Sequence, residues 1–194
     1  WFGANVYLVG GAADIKVEYF GAEAGFKNTF TFQGLPNPCS FVHEAGAGGG
    51  NGTFDNVAGA LGVNNLGTCT LSNVAPGLLD FSFLVNGNVA GPDNSVIGGN
   101  PNDLLGAAAN YFVTFDSSYV LDTVIGNGTS SGGQSFFVFL DDGGAGNDDN
   151  HDDMVLRISI SNGTFRVPEP TSLALLGAAL FGLGAARRRA SAKK

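Results

Sequence analysis

Five stretches of this chain alternate apolar and polar side chains with period two, and Gly/Asn-rich turns cut each of them short. Met154, Leu156, Ile158 and Ile160 oppose Val155, Arg157 and Ser159. Leu79, Phe81, Phe83 and Val85 alternate with Asp80, Ser82 and Leu84. Ile15–Tyr19 and Tyr111–Phe115 repeat the pattern, and Phe26–Phe32 sets Phe26, Asn28, Phe30 and Phe32 on one face. That period is the signature of half-buried strands, not of helices. Phe136–Leu140 is continuously apolar, which predicts a central strand covered on both faces. Glycine supplies 31 of the 194 residues, about twice the usual share of roughly 7%. The long connections at 45–52, 86–102 and 126–133 are rich in Gly and Asn. Asn162-Gly163 reads as a hairpin turn, and Asn86-Gly87 ends another strand. Only Asp103–Ala109 reads as a short helix, capped by Asn102 or Asp103. The expected body is all-β: one antiparallel β-sandwich, jelly-roll-like or immunoglobulin-like, over residues 1–167.

Residues 168–194 break with this pattern. Val167-Pro168-Glu169-Pro170-Thr171-Ser172 leads into Leu173–Ala186, which contains only Leu, Ala, Gly and Phe, and Arg187, Arg188 and Arg189 follow at once. The charge-free stretch is slightly short of the about 20 residues that cross a bilayer as a helix. Flanking arginines extend its reach by snorkelling. Their position predicts a cytoplasmic C-terminus with the body outside. Ala174, Ala178, Gly182 and Ala186 form a small-residue stripe. It fits either a helix-packing face or the plain filling of a short apolar segment.

The short polar motif, apolar run and basic stop closely resemble the PEP-CTERM sorting signal of exported bacterial proteins. The resemblance covers the tail alone. It implies a protein tethered in the inner membrane through a hydrophobic helix, processed by the membrane protease exosortase, and then placed at the cell surface or outside the cell. It also implies an exopolysaccharide-producing host and a role in biofilm or floc formation. A secretory leader would precede Trp1 and be removed. The strands across Ile15–Phe32, joined through Gly21–Phe26, resemble the N-terminal hairpin of many such surface proteins. In an exported protein the two cysteines, Cys39 and Cys69, are expected to form a disulfide.

Charge narrows the partners. Five of the nine basic residues lie in the tail, so the body sets four basic against sixteen acidic side chains, a net −12. Such a surface repels phosphate backbones and excludes nucleic-acid binding as a function. It attracts divalent cations and basic partners.

Chemistry concentrates in one loop. Asp141–Asp153 holds six Asp, two Asn and three Gly in thirteen residues. Hard oxygen donors on a glycine-rich loop suit Ca²⁺, which takes about six to eight oxygens. The expected ligands are Asp142, Asp148, Asn150, Asp152 and Asp153, with Asp141 and Asn147 in reserve. The loop lacks the EF-hand spacing and closing Glu. It matches the start of the calcium-binding nonapeptide repeat, but Asn150 stands where an apolar residue belongs. It also resembles the acidic loop before a late strand in many PEP-CTERM-tailed domains, although His151 replaces an expected aromatic residue. The other reading is a solvated acidic turn.

Nothing in the chain supports catalysis. His43-Glu44 and His151 stand outside any HExxH, Gly-x-Ser-x-Gly or Cys-His arrangement. Asn51-Gly52-Thr53, Asn127-Gly128-Thr129 and Asn162-Gly163-Thr164 match a glycosylation triplet but read as turns. The expected function is a non-enzymatic, calcium-stabilised cell-surface or matrix protein associated with polysaccharide. The alternatives are a carbohydrate-binding module, using aromatics such as Trp1, Phe2 and Tyr7, and a self-assembling filament or sheet subunit that donates Asn5–Leu8 to a neighbour.

Overall fold

The computed structural model describes residues 3–22, 24–44, 67–101, 108–115, 131–143 and 153–167. The tail and the Asp103–Ala109 segment lie wholly or mostly outside them. The described residues form thirteen strands: β1 Tyr7–Val9, β2 Ala13–Gly21, β3 Asn28–Phe32, β4 Cys39–His43, β5 Gly67–Val74, β6 Gly77–Leu78, β7 Phe81–Val85, β8 Val89–Asp93, β9 Asn110–Thr114, β10 Gly132–Gly133, β11 Ser135–Asp141, β12 Met154–Ile160 and β13 Thr164–Arg166. They build three antiparallel sheets, in the orders β5-β2-β12-β11-β9, β4-β3-β7-β8 and β10-β13-β1-β6. The body is all-β, as the alternation requires, with a third small sheet beyond the two that make the sandwich.

The two larger sheets pack face to face through aromatic side chains. Phe30, Phe32, Phe81 and Phe83 on the four-stranded sheet are fully buried. Tyr111 of β9 reaches across to them, its ring 5.5 Å from Phe81 and 6.0 Å from Phe83. At the other end of the interface Tyr19 of β2 stacks on Phe41 of β4 at 5.6 Å. Each buried Phe is worth roughly 1.5–3 kcal/mol relative to exposure. The alternation then turns Phe20, Phe112, Phe137, Phe139 and Val155 to the opposite face of the five-stranded sheet, where they are also buried. Strand β11 is thus covered on both sides, as its continuous apolar run predicts.

Four expectations change. Phe26 does not extend the apolar face of β3: the strand begins at Asn28 and Phe26 is 58% exposed. Residues 86–102 are not simply a connection, because they contain β8. Asn162-Gly163 does not close a hairpin. Strand β12 pairs with β11 and β2, whereas β13 pairs with β1 and β10, so this turn passes the chain from one sheet to another. Asn86-Gly87 is the true hairpin turn. Both residues have positive φ, 50° and 98°, and with Asn88 they make the three-residue loop between the paired Val85 and Val89.

The fourth change concerns the N-terminal strand. Strand β1 lies inside the small sheet, between β13 and β6. Val6 and Leu8 enter the core. The Asn94 amide, itself fully buried, grips Val6 at both its N–H (2.8 Å) and its C=O (3.1 Å). Its oxygen also accepts from the Tyr111 hydroxyl at 2.8 Å. The segment expected to serve a neighbour is occupied within its own chain, and cutting it away removes an interior strand.

Cys39 and Cys69 form the expected disulfide. Strands β4 and β5 are edge strands of different sheets, so the bond staples the two layers where no ladder joins them. Replacing both cysteines by Ser should lower stability by about 3–4 kcal/mol in the chain-entropy model. Denaturant titration of the oxidised parent and the double variant measures this, and equal midpoints would show that the core alone holds the layers together.

Candidate functional site

The acidic loop leaves β11 at Asp141 and re-enters the sheet at β12. Asp141, Asp142 and Asp153 are described; Asn147, Asp148, Asn150, His151 and Asp152 lie outside the described residues. The described three are not splayed into solvent. Asp141 is 3% exposed and Asp142 is 7% exposed. The Asp153 carboxylate accepts from the Asp142 backbone N–H at 2.8 Å and closes the neck of the loop. Asp141 accepts from the Gly143 N–H at 3.1 Å.

Asn28 secures this neck from a distant point in sequence. It is the polar member of the β3 face whose other members are Phe30 and Phe32, and it is fully buried. Its amide nitrogen donates to Asp142 Oδ2 at 2.5 Å and lies 3.5 Å from the Asp153 carbonyl. The sequence places a lone Asn on an apolar face but gives no sign of its partner 114 residues away. Asn86, at the β7–β8 turn, adds a longer contact of 3.4 Å to the Asp142 carbonyl.

His43 lies opposite Asn28 in the β3–β4 register and is buried. Its Nε2 is 2.9 Å from the Ala24 carbonyl, and therefore carries the hydrogen. This fits a histidine satisfied within the fold. Its neighbour Glu44 pairs at the surface with Lys27, at 2.9 Å. Among the described residues no cluster of three or more His, Cys, Asp or Glu is arranged to hold a metal.

Asp142 also lines a cleft of about 370 Å³. The walls come from β8, from the segment Gly99–Pro101 and from Ala108–Ala109, and include Val89, Pro92, Pro101 and Ala109; Asn86 stands beside Asp142. Gly91 and Gly99 also contribute, and Gly99 has no alternative, since a Cβ there would meet the Asp93 carbonyl oxygen. Sequence reasoning missed the cleft because β8 carries Gly91 and Pro92, which argue against a strand. Pro92 is tolerated because β8 is an edge strand.

Among the described residues, another buried charge lies on the far side of the five-stranded sheet. Glu18, 4% exposed, takes Lys16 at 2.7 Å and Arg157 at 2.8 Å. Burial pushes its carboxyl up, but hydrogen bonds from Lys16 and Arg157 outweigh this and hold it below the usual range. The Arg157 guanidinium also lies 5.5 Å from the Phe20 ring centre. Asp142 shifts the other way: burial raises its pKa, and the Asn28 hydrogen bond and the nearby His43 offset this only in part. Of the aromatics considered for sugar contact, Tyr7 is half-buried in β1, and Trp1 and Phe2 lie outside the described residues.

Two comparisons with known proteins follow from this fold and this chain end. Residues 166–189 match the PEP-CTERM protein-sorting motif, a span that begins on the last residue of β13 and takes in Val167–Pro170 and Arg187–Arg189. The motif implies an exported protein processed by exosortase. Among solved structures the body has a distant likeness to the C-terminal domain of BC2L-C lectin from Burkholderia cenocepacia: 12% identity, TM-score 0.40, covering 80% of this chain and 93% of that one. No curated protein sequence matches.

The raised pKa of Asp142 predicts a pH effect. Folding binds the proton more tightly, so this group favours the fold below the ordinary aspartate value of 3.8. Its contribution is lost as pH rises from there through the raised folded value. Asp142→Asn keeps an acceptor for Asn28 and removes the buried charge. It should raise the melting temperature at pH 7 relative to the parent and have little effect near pH 3. A variant that is less stable at pH 7 would show the carboxylate to be a net stabiliser.

Proposed function

We propose that this chain is a non-enzymatic cell-surface or extracellular-matrix protein, exported and held at the inner membrane by its tail until exosortase processes it. The observation that carries this reading is the sorting motif at residues 166–189. The body is a compact module cross-linked by one disulfide, and the residues that chemistry would need are used structurally: His43 bonds a backbone carbonyl and Glu18 is neutralised by two cations. Its acidic, low-charge-density surface suits contact with hydrated polysaccharide in a biofilm.

The acidic loop serves this role as a Ca²⁺-stiffened element. Asp142, Asp148, Asn150, Asp152 and Asp153 are the donors for the ion, with Asp141 and Asn147 in reserve, and Asp142 and Asp153 already meet at the neck of the loop. These are the hard oxygens that Ca²⁺ prefers, and cation binding relieves the repulsion among six neighbouring carboxylates.

Two experiments test the two parts. Changing Pro168, Glu169 and Pro170 together to Ala should leave full-length protein in the membrane fraction of a host that has exosortase; processing at the parental rate defeats the sorting reading. Asp148→Ala with Asp152→Ala should lower the melting temperature in Ca²⁺ by several degrees and leave it unchanged in chelator. Equal losses in both conditions would return the loop to a solvated turn.

A further inference from the structure

We propose that the loop at residues 94–99 is a membrane-contact tip, which rests the side chains of Val96 and Ile97 in the headgroup layer of the bilayer that the tail enters. From Asn94 through Pro101 the chain carries no charged side chain. Val96 is 54% exposed and Ile97 is 79% exposed, more than any other large apolar side chain among the described residues. The loop that presents them is tied down. Asn5 Nδ2 donates to the carbonyls of Asn94 at 3.1 Å and Val96 at 3.0 Å, and Asn5 Oδ1 accepts from the Gly98 N–H at 3.1 Å. The Asp93 N–H donates to the Gly99 carbonyl, and the Gly99 N–H to the Val96 carbonyl, each at 2.9 Å. Two β-branched side chains already fixed in an outward pose lose little freedom when they are covered.

The loop stands where the chain leaves for the tail. Tyr7 pairs with Arg166 in the antiparallel ladder of β1 and β13. Val6 and then Asn5 therefore lie on the side toward which β13 runs out at Val167. The two strands are about 4.8 Å apart, and the loop is bonded directly to Asn5. Residues 168–172 alone separate Val167 from the apolar run at Leu173, and five residues span at most about 18 Å when fully extended. The polar layer on each side of the hydrocarbon is itself about 5–8 Å deep. With the apolar run in the bilayer, the body is held close to the headgroups, with this end toward them. The inference thus rests on the reading that the tail tethers the body to the inner membrane.

The surface beside the loop suits lipid headgroups. Residues directly opposite in a ladder share a face, so Arg166, Tyr7 and Leu78 form one row across β13, β1 and β6. Val6, Leu8, Phe165 and Val167 turn the other way and are buried. In that outer row Arg166 is exposed, and Tyr7 and Leu78 are half-buried. A tyrosine ring and a long-stemmed arginine are side chains of the membrane interface, and a guanidinium can pair with a headgroup phosphate. Asp93, at the base of the loop, turns Oδ1 to the Ser95 N–H at 2.8 Å and the Ser95 hydroxyl at 2.6 Å. The body as a whole, at −12, is repelled by an anionic bilayer. An uncharged loop next to Arg166 is the kind of surface that can approach one.

Fluorescence of the full chain reconstituted into vesicles of phosphatidylethanolamine and phosphatidylglycerol tests the proposal, with the single tryptophan of the chain removed by Trp1→Phe. Ile97→Trp then puts a probe at the tip. Phe26→Trp puts a control at another well exposed position, 58%, just before β3. The opposite end of β3, at Phe32, pairs with Phe81, whose carbonyl accepts from the Asn94 N–H, so the control lies at the far end of the sandwich. Adding phosphatidylcholine brominated on its acyl chains should cut the emission of the Ile97→Trp variant about two-fold, as for a side chain sunk about 5–10 Å into the headgroup boundary. The Phe26→Trp variant should be unchanged. Flotation of the same vesicles reports on the tail separately. Protein that floats but is quenched no more at position 97 than at position 26 overturns the tip and leaves the tether standing. Protein that does not float overturns the tether, and the tip with it. A blue shift of the Ile97→Trp emission without quenching shows that protein covers the loop, a second copy or a membrane partner, and overturns the lipid.

Discussion

The contact of Tyr111 with Phe81 and Phe83 is the joint on which the body hangs. It joins the two large sheets by burying aromatic surface, and it leaves a phenol inside the core. Burial drives the Tyr111 pKa far above its usual value, so the hydroxyl remains a neutral donor and must find an acceptor. It finds Asn94, and through Asn94 it fixes Val6 and the entry to β1. Strand β1 in turn is the partner of β13. A single line of dependence therefore runs from the centre of the sandwich to the last strand before the sorting motif. Asn100 steadies the same tyrosine from its other side, bonding its N–H and C=O at 2.9 and 2.8 Å.

A second polar joint, at Asn28, controls the acidic loop. It ties a strand of the four-stranded sheet to both ends of a loop that belongs to the five-stranded one. The two joints share a logic: a carboxamide, buried completely, binds elements that have no ladder between them. An amide does this without the desolvation penalty of a charge, and its donor and acceptor can both be used. The heavy use of Asn in this chain, read as turn chemistry from composition, thus serves the interior as well.

Much of the fold was legible because the apolar period is clean. Strands β2, β7, β9, β11 and β12 fall where alternation puts them, and β11 is buried on both faces as its apolar run demands. Strand β5 escaped because it is an edge strand whose residues alternate weakly, and β8 because Pro and Gly sit inside it. Asn162-Gly163 misled because a turn signal fixes a local reversal but not which sheet receives the next strand. The candidate site was half legible. Density of Asp marks the loop, but its tether at Asn28 depends on a contact between residues remote in sequence, and no local pattern encodes that.

The Val167 backbone N–H donates to the Ser131 carbonyl at 2.9 Å, and its side chain is buried. The chain is thus committed to the body up to the residue before Pro168. A protease that grips substrates as extended strands needs free backbone on both sides of the bond it cuts. Here the upstream side is already taken by β1 and β10. The footprint left to such an enzyme starts at Pro168, and only the five residues 168–172 precede Leu173, at most about 17–18 Å of extended chain. The folded body is in this sense a stop that limits how far along the chain the processing machinery can reach.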